Sequence, residues 1–225
     1  MTPRRSEPRP TPAPEDEPTP ETGWVATELV AELPGLGLRY ATVEGGPTRT
    51  PAHVRRRLRA LSDRFAGAQA INLRHQAIPW AYRVFFRHIG LDPDEQRTPV
   101  ERLSFERMLH GGFRSHNLLE DALAIAIIES GVALRAFDAE PVAGSPGIRS
   151  SAPGEELAGR ALTPGTLVIA DERRPLALLF GEPAASACEP TARTGRALIA
   201  AIQVRGVPDI ALEEAIWLAA SVIRS

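Results

Sequence analysis

The chain has 225 residues, 43% of them hydrophobic, enough for one well-cored domain or a domain with a small appendage. Its formal net charge of -2 excludes nucleic-acid binding driven by a global basic excess, although all 26 basic residues are arginines and a local basic face remains open. The single cysteine, Cys188, excludes an intramolecular disulfide and any cysteine-built metal site, in keeping with a reducing cytoplasm.

Residues 1–22 are rich in Pro, Thr, Glu and Arg and poor in apolar side chains. Such a segment cannot offset its ordering entropy by burial, so it is expected to be a disordered tail, with no signal-peptide core, ahead of one domain over 23–225. From Trp24 to Glu44 two short strands are predicted, V-A-T-E-L-V-A-E-L and L-G-L-R-Y-A-T-V-E, joined by the turn P-G-L-G. A helix follows from about Pro51 to Ala66, with Val54, Leu58, Leu61 and Phe65 at helical spacing. Its opposite face carries Arg55, Arg56, Arg57 and Arg59, which read either as a solvated face or as a phosphate-contacting one.

A second helix is predicted from Pro79 to Ile89, ended by Gly90, and a third from about Pro99 to Leu109, broken by His110-Gly111-Gly112. Leu118 to Ser130 reads as a fourth, capped by Asn117, with Glu120 in the reciprocal position and Gly131 as its stop. Beyond Val132 short apolar runs alternate with turn clusters: A-L-R-A-F, G-I-R-S-S, T-L-V-I-A-D, P-L-A-L-L-F and R-A-L-I-A-A-I-Q-V. These are strand-like. Asp209 is expected to cap a last helix to about Val222, with Leu212, Ile216, Ala219 and Ile223 on one face. Helices early and strands late argue for an α+β domain rather than alternating βαβ units.

Several site classes find no support in the residues. His53, His75, His88, His110 and His116 show no H-x-x-x-H spacing, so no metal is expected. No G-x-G-x-x-G follows a strand and no Walker A sequence occurs, so no nucleotide cofactor of those kinds is indicated. The longest apolar run, Leu118 to Ile128, is interrupted by Glu120 and Asp121, so a soluble, cytoplasmic protein with no membrane span is expected. Cys188 has no cation or histidine beside it in sequence to activate it as a nucleophile. Asp121 is expected to be a buried helix carboxylate satisfied by nearby backbone groups, and Arg149 to pair with Asp138 or Glu155. His116 reads as a surface residue of the cap region.

The run from Asn117 through Asp121, Glu129, Gly131, Leu134, Ala136, Phe137 and Asp138 resembles a motif of the tRNA-binding and editing domain of the phenylalanyl-tRNA synthetase beta chain. The order continues downstream with Gly147-Ile148-Arg149, Gly154-Glu155-Glu156-Leu157, Thr166 to Asp171, Pro175-Leu176-Ala177 and Thr194. Upstream, Tyr82-Arg83-x-Phe85-Phe86 with Ile89 to Pro93, Arg97 and Pro99 is similar to free-standing members of that family. The resemblance implies a β-sandwich-like core flanked by helices. It also implies a partner, tRNA or aminoacyl-tRNA with a free amino acid as a further ligand, and a role in translation quality control by aminoacyl-tRNA editing.

The sequence departs from the family at its editing pocket. The Thr-Asn pair of the helix falls on Leu123 and Ala124, the pocket histidine on Arg135, and the glutamate of the last strand near Ala200. Ala200 cannot accept a hydrogen bond from a tyrosine hydroxyl, so tyrosine-specific editing is not expected. Arg135 stays protonated and is a poor general base. The resemblance therefore implies a pocket lined by Asn117, Arg135, Arg149 and Thr194, with Leu123, Ala124 and Ala200 as its apolar wall. Two functions follow: a trans-editing deacylase of changed specificity, or a non-catalytic module binding a small molecule or a protein on the same fold.

Overall fold

The β-strands form two four-stranded sheets, and six helices pack around them, in a computed structural model that describes residues 18–65, 72–181 and 187–225. The expected tail lies largely outside the described residues, as does Ala66 at the expected end of the first long helix. The strands are β1 (Glu21–Thr22), β2 (Trp24–Val25), β3 (Gly37–Glu44), β4 (Ala133–Asp138), β5 (Gly147–Ser150), β6 (Glu156–Leu157), β7 (Arg160–Ala161), β8 (Leu167–Ala170), β9 (Pro175–Leu178) and β10 (Arg196–Gln203). The helices are α1 (Thr27–Glu32), α2 (Ala52–Arg64), α3 (Ala77–His88), α4 (Pro99–His110), α5 (Leu118–Ser130) and α6 (Asp209–Ile223).

The first sheet has the order β1-β3-β10-β4 and is antiparallel throughout. The second has the order β2-β5-β8-β9, antiparallel except for the β2–β5 pair, and β6–β7 is a separate small hairpin. The chain crosses from one sheet to the other at Gly23, where a Cβ would sit 2.5 Å from the carbonyl oxygen of Pro146. Trp24 then lies over Gly147, where a Cβ would meet the indole at 2.1 Å, and its Nε1 donates to the Ser145 carbonyl at 2.9 Å. Both sheets and the helices contribute to one buried cluster, so the expected α+β architecture holds.

Three local expectations need correction. Thr27–Glu32, read as part of a strand, is helix α1. Leu29 and the following Leu33 are buried while Ala31 between them is exposed, a pattern that one helical face satisfies and an alternating strand, which would bury all three, does not. Glu21–Thr22, placed in the tail, pair with Tyr40 and Arg39 as an edge strand. Asp209 is the first residue of α6 rather than its cap, and its carboxylate meets Gln203 and Arg39 instead.

Helix α5 is buried on nearly every side: Ala122, Ile125 and Ala126 are fully inaccessible. An all-round apolar helix is stable only inside a layered structure, and α5 packs between α2, α4, α6 and β4. Its ends follow the sequence. The Asn117 side chain accepts the Glu120 N–H at 3.0 Å and donates back to the Glu120 carboxylate at 2.6 Å. Gly131 ends the helix at φ 75°, where a Cβ would also approach Pro79 at 3.0 Å.

Candidate functional site

A cleft of about 710 Å³ opens between α4, α5 and β4. Sites for small ligands commonly enclose roughly 300–1,000 Å³. Leu119, Leu123 and Ile127 recur every four residues along α5 and give the cleft one apolar wall, with Ala124 beside them. Residues Ala133 to Phe137 of β4 give the opposite wall, and Phe180 closes one end, packed edge-on against Tyr82 and Phe85. The rim is polar, with four arginines, Arg102, Arg107, Arg114 and Arg135, against four carboxylates, Glu106, Glu120, Asp121 and Glu189. The site is therefore amphipathic rather than a one-sign funnel.

Many of these charges are held by the fold. Asp121 is 1% exposed and accepts from the hydroxyls of Thr50 (2.6 Å) and Ser115 (2.5 Å) and from the His116 N–H (2.9 Å). Its partners are thus two hydroxyls and one backbone group rather than backbone alone, and they pin the loop 112–117 at the cleft mouth. Arg107 donates twice to the Ser62 carbonyl, at 3.1 and 2.9 Å. Arg135 and Arg102 both reach the Gly181 carbonyl, at 3.3 and 3.5 Å.

Of the seven side chains expected at the site, Asn117, Leu123, Ala124 and Arg135 come together in this cleft. The other three lie elsewhere. Arg149 belongs to the second sheet and makes a two-pronged ion pair with Glu155, Nη1 to Oε2 at 2.7 Å and Nη2 to Oε1. The hydrogen bonds from Arg149 are the main reason that the Glu155 carboxyl lies below its ordinary pKa, and the Arg149 charge adds to it. Thr194 donates to the Asp138 carboxylate at 2.6 Å and accepts the Thr191 N–H at 2.9 Å, which fixes the turn before β10. Ala200 is fully buried in β10. The register sets it opposite Arg135, yet it does not line the cleft.

Glu189 is the rim residue that sequence reasoning passed over. Cys188 accepts the Asp138 N–H at its carbonyl (2.8 Å), which ties this loop to the end of β4 and delivers Glu189 to the cleft. Although Glu189 is exposed overall, desolvation of its carboxyl against the cleft holds its pKa above the ordinary value. Arg135 opposes that rise and Glu120 adds to it. Only the tertiary fold joins residues 102–107, 117–127, 133–137 and 189, so no spacing could have announced this set. Cys188 also departs from its sequence reading, because Arg174 lies 3.5 Å from its sulfur. Burial nonetheless dominates and raises the thiol's pKa, leaving it unsuited to attack.

Among the described residues, no group of three or more His, Cys, Asp or Glu side chains is placed to hold a metal ion. No described helix is long and apolar enough to cross a membrane. Both walls of the cleft fall inside the part of the chain that known proteins share. The B3/4 domain profile matches residues 81–207, more than half of the chain. A phenylalanine–tRNA ligase beta subunit from Cutibacterium acnes is 36% identical over 102 residues, 43% of this chain and 12% of the relative. Beta subunits from Xanthomonas oryzae pv. oryzae and Legionella pneumophila (strain Lens) are 39% identical over 94 residues and 33% over 114, covering 40% and 48% of this chain and 12% and 14% of theirs. The matched stretch of this chain thus spans about an eighth of the length of those subunits. The shared stretch runs from within α3 to just past β10, includes every strand of the second sheet but β2 and both walls of the cleft, and by it the chain belongs to the B3/4 domain family.

Proposed function

We propose that the chain binds the aminoacylated 3′ end of a tRNA in the α4–α5–β4 cleft and hydrolyses the ester of an aliphatic amino acid. The observation that carries this reading is the cleft: apolar walls of Leu119, Leu123, Ala124 and Ile127 beneath a rim bearing Arg135 and Glu189, inside the region related to tRNA ligases. The walls suit an aliphatic acyl side chain. At the rim, Arg135 is the cation able to stabilise an ester oxyanion. Glu189 is the carboxylate able to accept the proton of the attacking water, after which the carbonyl–oxygen bond breaks and the ribose oxygen leaves protonated. Leu123 and Ala124 on the wall cannot accept a tyrosine hydroxyl, which supports a loss of discrimination between tyrosine and phenylalanine.

The test is incubation with a pool of aminoacylated tRNAs, following the loss of each amino acid. The expected result is release of aliphatic residues above the blank, with no preference for tyrosine over phenylalanine. The rate should rise with pH through an inflection above the ordinary glutamate range, because Glu189 must lose its proton to act and its pKa is raised. Release of no amino acid above the blank would end the hydrolase reading. The replacement of a polar pair by Leu123 and Ala124 favours a second reading, binding without hydrolysis. That reading predicts saturable binding in the cleft and no release.

A further inference from the structure

Helix α2 carries five arginines, Arg55, Arg56, Arg57, Arg59 and Arg64, against one carboxylate, Asp63. That is a strong local excess in a chain of net charge -2, and it lies outside the stretch matched to the B3/4 family. Val54, Leu58 and Leu61 anchor the helix to the core. Arg55, Arg59 and Ser62 recur at the spacing of one helical stripe, three or four residues apart. Ser62 fixes where that stripe faces. Its hydroxyl accepts the Phe113 N–H at 3.1 Å, and its carbonyl takes both bonds from Arg107, all of them to residues that line the cleft. Arg55 is tied to the same mouth, since Nη1 donates to the Thr50 carbonyl at 3.2 Å and the Thr50 hydroxyl donates to Asp121. Arg114, next to Phe113, continues the basic line into the cleft rim.

Helix stability does not account for this placement. Arg55 and Arg59 are four residues apart, where like charges repel. Three consecutive arginines stand in the N-terminal half of α2, the end at which the helix dipole favours anions, and its first turn holds no acidic residue. Arg57 is separate from the stripe and bonds Glu129 of α5 at 2.8 Å. A polyanion crossing the stripe would relieve the repulsion.

We propose that Arg55, Arg59 and Arg114 form a phosphate-contacting track for the RNA strand whose 3′ end enters the cleft. Its direction toward the cleft rests on the function proposed above; the RNA contact itself does not. Phosphates spaced along a strand match a line of guanidinium groups, each of which forms charge-assisted bonds to phosphate oxygens.

The test measures binding of a fluorescent RNA hairpin with a single-stranded 3′ end across a salt series. The full chain is compared with the Arg55→Gln/Arg59→Gln and Arg55→Lys/Arg59→Lys variants. A 3′-aminoacylamino-adenosine bearing an aliphatic acyl group reports the cleft separately. Each phosphate contact contributes roughly 0.7–0.9 to the slope of log affinity against log salt, so the glutamine pair should flatten it by about 1.4–1.8. The lysine pair should keep the slope, and all three proteins should bind the nucleoside probe equally. Equal slopes for the glutamine pair and the unmodified chain would overturn the track, as would absence of RNA binding by the unmodified chain. A fall in probe affinity alongside RNA affinity would also overturn it, because the stripe would then act through the shape of the cleft. A flattened slope with no probe binding by any of the three would support the track and remove the cleft reading.

Discussion

The Tyr82 hydroxyl sits between two strands and serves both. It donates to the Ile202 carbonyl at 2.5 Å and accepts the Ala133 N–H at 3.1 Å, where β10 meets β4. Burial pushes its pKa up, so it remains a neutral phenol. Tyr82→Phe would strand two buried backbone groups, each costing about 1–3 kcal/mol when left unpaired. A drop of that size in urea-unfolding free energy is expected, and an unchanged midpoint would refute the role. Glu155 makes a pH-dependent contribution. Its folded pKa lies below the ordinary value, chiefly through hydrogen bonding from Arg149, so the stabilisation is present at neutral pH and is lost as pH falls through the folded pKa. Glu155→Gln should lower Tm at pH 7 and flatten the acid side of a Tm–pH curve. An acid limb parallel to that of the unmodified chain would count against it. At this scale local features were readable in the sequence: the Asn117 cap and the Gly131 stop depend on neighbours a few residues away, whereas Asp121, whose burial was expected, also takes a bond from the distant Thr50. Glu189 was not, because its surroundings come from β4 and α5 and nothing adjacent to it signals a cleft.

Among the elements, α3 and α4 are joined by a buried guanidinium. Arg83 is 4% exposed and donates to Glu101 at 2.6 Å and to Asp94 at 2.7 Å, while Glu101 also closes the capping box with Thr98 at the start of α4. Removing one partner of a buried pair leaves the other without compensation, a loss on the order of 3 kcal/mol. Arg83→Met is expected to destabilise the domain by about that amount and to loosen α4. Faster amide exchange across Pro99–His110 would register the loosening, and unchanged exchange would contradict it. Long, strongly periodic elements such as α2, α3 and β10 were legible because one period fits them. Helix α1 was misread because six residues give too little pattern, and its valine and threonine favour strands in isolation.

At the level of the whole molecule, the α+β class could be read from helices clustered before strands, but not the pairing of β1 with one sheet and β2 with the other. The cleft was legible only in part, through Asn117, Leu123, Ala124 and Arg135, since family motifs mark a scaffold more faithfully than they mark which residues face a common space. The central ladder also bears on how the chain acquires its shape. Strand β3 pairs along its full length with β10, from Gly37 opposite Gln203 to Glu44 opposite Arg196. During synthesis β3 emerges well before β10, the neighbour that pairs with it along its full length. Closing so long a loop is entropically costly and slow. Until β10 has emerged, nascent β3 is bordered by the two-residue β1 alone, so the central ladder is among the last parts of the domain that can form.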